Sequence, residues 1–143
     1  MLVLKVLAFG LWSAVMVSGC AHTGETGEPV LPVRLEAGHL DGSALGEFKG
    51  DERSPMLRRG HQSFLSKDKK FRIGIWEAKA GEILIPDPYP IDEFMYVLSG
   101  KFVLVDSQGN REECGEGEGL VMPKGWTGIF EVPEHVRKIW VAY

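Results

Sequence analysis

The chain has 143 residues, enough for one domain with a sizeable core. Its 16 basic and 20 acidic side chains give a formal net charge of −4 with no basic stripe, which excludes a nucleic-acid surface built on clustered Lys and Arg. The 18 glycines and 8 prolines, with few long helical patterns, favour an all-β domain with many turns.

The chain begins "MLVLKVLAFGLWSAVMVSGC", with one early charge at Lys5 and an apolar stretch over residues 6–17. That stretch is short for a bilayer span and has the length of a signal-peptide core. Ser18 and Gly19 are small enough for a peptidase to approach the backbone, and Cys20 follows at once. The ending "VSGC" resembles the lipobox of bacterial lipoproteins; an ordinary secretory signal with a chance cysteine is the plainer alternative. By the resemblance, residues 1–19 are a lipoprotein signal peptide and Cys20 is the lipidated first residue of the mature protein. Each methylene of its chains that enters the membrane contributes about 0.8 kcal/mol. The expected location is the bacterial cell envelope. Ala21, where an Asp would retain the protein at the inner membrane, turns the expectation to the outer membrane, facing the periplasm. Residues 20–29 read as a flexible tether. With Cys20 lipidated, Cys114 has no disulfide partner and is expected to be buried as a small hydrophobe.

Residues 30–143 then form a single domain whose core is 71–143. "VLPVRLEA" reads as an edge strand, with Pro32 confining it to an edge. Up to residue 65 the sequence has turn residues and charge without a sustained period, so short strands and loops wrapping the core are expected. From Phe71 the pattern sharpens. "FRIGIWEA" alternates, with Phe71, Ile73 and Ile75 on one face and Arg72, Gly74 and Trp76 on the other. "KAGE" reads as a turn, and "DEFMYVLSG" as a strand ending at Gly100. "KFVLVDSQGNRE" is a hairpin turning at Gly109–Asn110. Residues 120–122 make a short strand, and "WTGIFEVPEHVRKIWVAY" reads as two strands broken at Pro133. Closely spaced antiparallel strands with tight turns point to a small barrel or jelly roll.

The glycines fall at specific spacings. Gly81 is followed by Asp87, Tyr89, Glu93 and Gly100; Gly117 is followed by Pro123, Gly125 and Gly128. These resemble the two motifs of the cupin superfamily, Gly-x5-His-x-His-x3-Glu-x6-Gly and Gly-x5-Pro-x-Gly-x2-His-x3-Asn. The resemblance implies a small cupin jelly-roll β-barrel and, through edge strands, a homodimer. Metal-binding cupins take two His and a Glu from the first motif and a His from the second. Here those positions hold Asp87, Tyr89, Glu93 and Gly128, so only Glu93 survives. Zinc-like ions want imidazole or thiolate ligands, so no metal site is assigned. A hard cation such as manganese, held by Asp87 and Glu93 with several waters, is the alternative. His61, folding across the barrel mouth, would be the residue to complete such a site.

The wording "IWEAKAG", "YPIDEFMYVLSG", "GEGLVMPKGWTGIFEV" and "HVRKIWV" resembles, over residues 71–143, the cupin subfamily named for ureidoglycine aminohydrolase. That enzyme uses manganese held by His and acidic ligands. The histidines are absent here, so its activity does not follow.

By the motif, Glu93 points into the barrel and Asp92, one residue away on a strand, points out. A carboxylate inside a barrel needs a partner: Tyr89, a water, Arg72 or an arriving ligand. Trp76, Trp126, Trp140, Phe130 and Tyr96 are core aromatics or the walls of a ligand mouth. Trp126, in the "PKGWTG" turn where cupin barrels open, is the candidate contact. Three functions are compatible: a non-metal small-molecule binder using Tyr89, Glu93, Trp126 and Asp87; a ureide/amide hydrolase or sugar-modifying enzyme with Glu93 as catalytic acid/base; and a structural envelope lipoprotein without a ligand.

Overall fold

The computed structural model describes residues 29–52 and 54–143. Every described strand belongs to one compact unit, Pro32–Tyr143. The expected signal peptide, Cys20 and nearly all of the tether lie outside the described residues. No helix among the described residues is long and apolar enough to cross a membrane.

Among the described residues seven strands follow one helical turn, α1 (Ala37–Leu40): β1 Lys49–Asp51, β2 Ser54–Leu65, β3 Arg72–Ile85, β4 Glu93–Asp106, β5 Arg111–Gly115, β6 Gly119–Met122 and β7 Gly128–Ala142. They form one antiparallel sheet in the order β1-β2-β3-β7-β4-β5, with β6 also paired to β4. The last strand of the chain therefore lies between β3 and β4. The far side of β4 is shared, its first half taking β6 and its second half β5. The sheet is the jelly roll expected from the closely spaced strands, its inward side chains meeting in one core. Met95, Val97, Phe102, Val132 and Val136 are almost fully buried there, and the Phe102 and Phe130 rings stack at 4.9 Å. Cys114 joins this core with its thiol free, as expected of a small hydrophobe.

Several local expectations are corrected. Residues 30–36 form no strand, and β2 is a single strand of 12 residues rather than short pieces. "KAGE" does not turn the chain; it lies inside β3, where pairing to β7 shifts between Lys79 and Gly81. Gly100 does not end a strand either. It bends a continuous β4 at φ 76°, and a Cβ there would lie 2.1 Å from the His135 carbonyl oxygen. Pro133 does not split β7. The ladder steps from His135 to Val132 on the β3 side and from Val136 to Glu131 on the β4 side. Pro133 thus occupies a bulge where neither neighbour pairs with it, and its missing N–H costs no ladder bond.

The outer face of the β2-β3-β7 region is also covered. Ile75 and Glu77 are buried on the face opposite the barrel interior. Glu77 meets Arg59 at 2.6 Å, His135 at 2.8 Å and Arg137 at 3.4 Å, joining three strands through one carboxylate. Arg59 also donates to the Gly46 carbonyl at 2.8 Å, which ties the segment after α1 over this cluster.

Candidate functional site

Glu93 opens β4 and faces inward; Met95 and Val97 follow on the same face, each fully buried. Asp92 is exposed and its carboxylate accepts from the Lys124 backbone N–H at 2.9 Å, pinning the Pro123–Trp126 turn against the start of β4. The two adjacent carboxylates therefore have different work: one fastens a loop, the other enters the barrel.

Both Glu93 oxygens are engaged. Tyr89 donates its hydroxyl to Oε2 at 2.5 Å, and Lys138 donates to Oε1 at 2.9 Å. Lys138 comes from β7, inward with Val136 and Trp140 by the period-two alternation of the strand. Its Nζ also lies 5.2 Å from the Trp76 ring centroid and 5.4 Å from that of Phe130, within cation–π range. Its side chain is only 6% exposed, so the charge sits in the barrel rather than in solvent. Burial lowers the Lys138 pKa from the ordinary lysine value, and the Glu93 carboxylate opposes that by its charge and hydrogen bond. Burial raises the Tyr89 pKa, and the Glu93 charge and the hydrogen bond to it raise it further, so the phenol keeps its proton.

These groups line a cavity of about 400 Å³. Trp76, Phe130 and Trp140 form its aromatic wall, and Ile83, Ile85 and Ile91 an aliphatic one. Arg72 also lines it. Arg72 and Glu93 both pair with Ala142 across the β3-β7-β4 ladder. One row across three strands therefore carries a cation and an anion on either side of a small residue, which leaves the floor between them open.

Of the residues read as ligand contacts, Tyr89 and Glu93 come together here. Asp87 and Trp126 are not among the cavity-lining residues. Asp87 is exposed in the loop before β4, so the pairing of Asp87 with Glu93 around a hard cation does not form. Trp126 packs on the core, accepts the Tyr89 backbone N–H on its carbonyl at 2.9 Å, and fits its ring against Gly128, so it positions Tyr89 rather than lining the cavity. His61 does not cross the barrel mouth. It is exposed on β2 and stacks on His39 with ring centroids 3.7 Å apart. Among the described residues no group of three or more His, Cys, Asp or Glu is arranged to hold a metal ion. The groups on Glu93 are an ammonium and a phenol, a set unsuited to manganese, an ion that wants carboxylate, carbonyl and water oxygens. Lys138 was missed as the partner of Glu93. Its signal was available in "HVRKIWV", where a lysine interrupts the inward-facing apolar positions.

A curled seven-stranded jelly roll with a mostly apolar cavity and the motif glycines in place defines a small cupin. The family described as EutQ-like cupin domain matches residues 65–140, and the chain belongs to that family. The narrower likeness to ureidoglycine aminohydrolase domains finds no support in this match. Solved structures agree on the fold. A putative ethanolamine utilization protein Q from Salmonella typhimurium superposes with a TM-score of 0.59 at 24% identity, over 81% of this chain and 95% of that one. The EutQ protein of Clostridium difficile gives 0.54 at 24% identity, over 62% and 68%. The polyketide cyclase RemF from Streptomyces resistomycificus gives 0.58 at 20% identity, over 78% and 79%. No curated protein matches the chain in sequence.

Proposed function

We propose that the chain is a membrane-anchored, small-molecule-binding cupin that works without a metal ion. The observation carrying this reading is the Lys138 ammonium, seated 2.9 Å from the Glu93 carboxylate inside the barrel. A carboxylate whose oxygens are taken by Lys138 and Tyr89 has little left to offer a cation, while the cavity beside it stays open to an organic ligand. In this reading Cys20 carries lipid and holds the domain at the periplasmic side of the outer membrane, and two copies pair through edge strands. A second reading is favoured by the hydrogen-bonded row Tyr89–Glu93–Lys138. A carboxylate between a phenol and a buried amine is an arrangement that moves protons, so a hydrolase or sugar-modifying activity would use Glu93 as acid/base.

The test is elemental analysis of the purified full chain, prepared without chelator, beside a thermal-shift screen of small organic molecules. The expected result is no stoichiometric metal and at least one compound that raises the melting temperature. Stoichiometric manganese, iron or zinc that is lost in Glu93→Gln would overturn the non-metal reading.

A further inference from the structure

Resting on the binding-module reading, we infer that the ligand is a small monocarboxylate with a ring or short branched apolar body, its carboxylate docked on Arg72. Charge bookkeeping in the cavity comes first. Three ionisable side chains of full charge line it: Arg72, Lys138 and Glu93. Lys138 and Glu93 neutralise each other at 2.9 Å. Arg72 makes no ion pair with any described residue, and its buried Nε meets no acceptor. Every other arginine on β2 and β7 is held: Arg58 by Asp51, Arg59 and Arg137 by Glu77. Among the described residues the cavity therefore carries one uncompensated positive charge, on the side chain whose planar fork matches a carboxylate.

The remaining wall sets the rest of the ligand. Trp76, Phe130 and Trp140 offer ring faces and edges, and Ile83 and Ile85 an aliphatic surface. Sites of this kind take mostly apolar molecules oriented by a few polar groups. A volume of about 400 Å³ has ample room for one ring or a short branched chain. Position agrees with charge. Arg72 and Glu93 flank Ala142 in one cross-strand row, roughly 10 Å apart between backbones at two strand spacings. The body carried by a carboxylate on Arg72 would then lie over Ala142 towards the aromatic wall.

The experiment is a titration of the purified full chain, followed by tryptophan fluorescence and calorimetry, with phenylacetate, 3-phenylpropionate and 4-methylpentanoate against their neutral amides. The acids should bind about tenfold or more tightly than the amides, the scale of a charge-assisted, two-pronged hydrogen bond. Arg72→Met should abolish that preference, and a circular dichroism spectrum and cooperative thermal unfolding like the parent's show that the variant is folded. Amides binding as well as acids, or an acid preference that survives Arg72→Met, would overturn the inference while leaving the binding module intact. No binding in either series would overturn it too. A stoichiometric metal ion would bring down the underlying reading instead.

Discussion

Lys138→Met is the most informative single change. It keeps the length of the side chain and its packing against Trp76 and Phe130, but removes the ammonium from Glu93. The Lys138 and Glu93 side chains are 6% and 11% exposed, so water cannot take over the lost interaction. Removing one partner of a buried ion pair typically costs about 3–5 kcal/mol, because the other charge is left uncompensated. Tyr89 still donates to Glu93 Oε2, which places the expected loss near 3 kcal/mol, the lower end of that range. The double variant Glu93→Gln/Lys138→Met should recover most of it, since replacing both members of a buried pair is often close to neutral. Urea denaturation of the parent, both single variants and the double variant gives the coupling free energy directly. A coupling of about 2 kcal/mol or more is expected from these figures. If Lys138→Met lies within about 1 kcal/mol of the parent, or if the double variant loses the sum of the singles, the pair is not a buried, mutually compensating unit and the account of the site fails.

The Glu77 cluster predicts acid sensitivity. Burial pushes the Glu77 carboxyl up, but hydrogen bonds from His135 and Arg59 and the charges of Arg59 and Arg137 outweigh it and hold the pKa below the ordinary value. A folded-state pKa below the unfolded one stabilises the fold above the unfolded pKa of about 4.3, and that stability drains away as pH falls through the lower folded value. Glu77→Gln should cost about 2–3 kcal/mol at neutral pH and flatten the loss of stability below pH ~4, measured by urea denaturation across pH. Gly100→Ala should cost more than the order of 1–3 kcal/mol expected for a left-handed backbone, because its Cβ would also strike the His135 carbonyl; a melting temperature equal to the parent's would contradict the bend assigned to β4.

Much of the barrel was readable because it is local. Period-two alternation locates a strand from neighbouring residues alone, and of the motif glycines expected at turns with positive φ, Gly81, Gly100 and Gly117, all three take positive φ but only Gly117 lies at a turn, the other two falling inside β3 and β4. Glu93 facing inward and Asp92 facing outward follow from the same alternation once one of them is placed. Whether a glycine or proline ends a strand or only bends it is not local. Gly100 and Pro133 stay inside β4 and β7 because their neighbours across the ladder absorb the irregularity, and those neighbours lie far off in sequence. The Glu93–Lys138 pair is separated by 45 residues and exists because β7, the last strand, inserts between β3 and β4. For the same reason the sequence could nominate five aromatics but not rank them. Trp76, Trp140 and Phe130 face the cavity, while Trp126 turns into the core beneath Tyr89. The types of residue and their alternation were set by the sequence alone. Which charge meets which, and which charge on Arg72 is left for a ligand, was decided only when the sheet curled and its distant strands met.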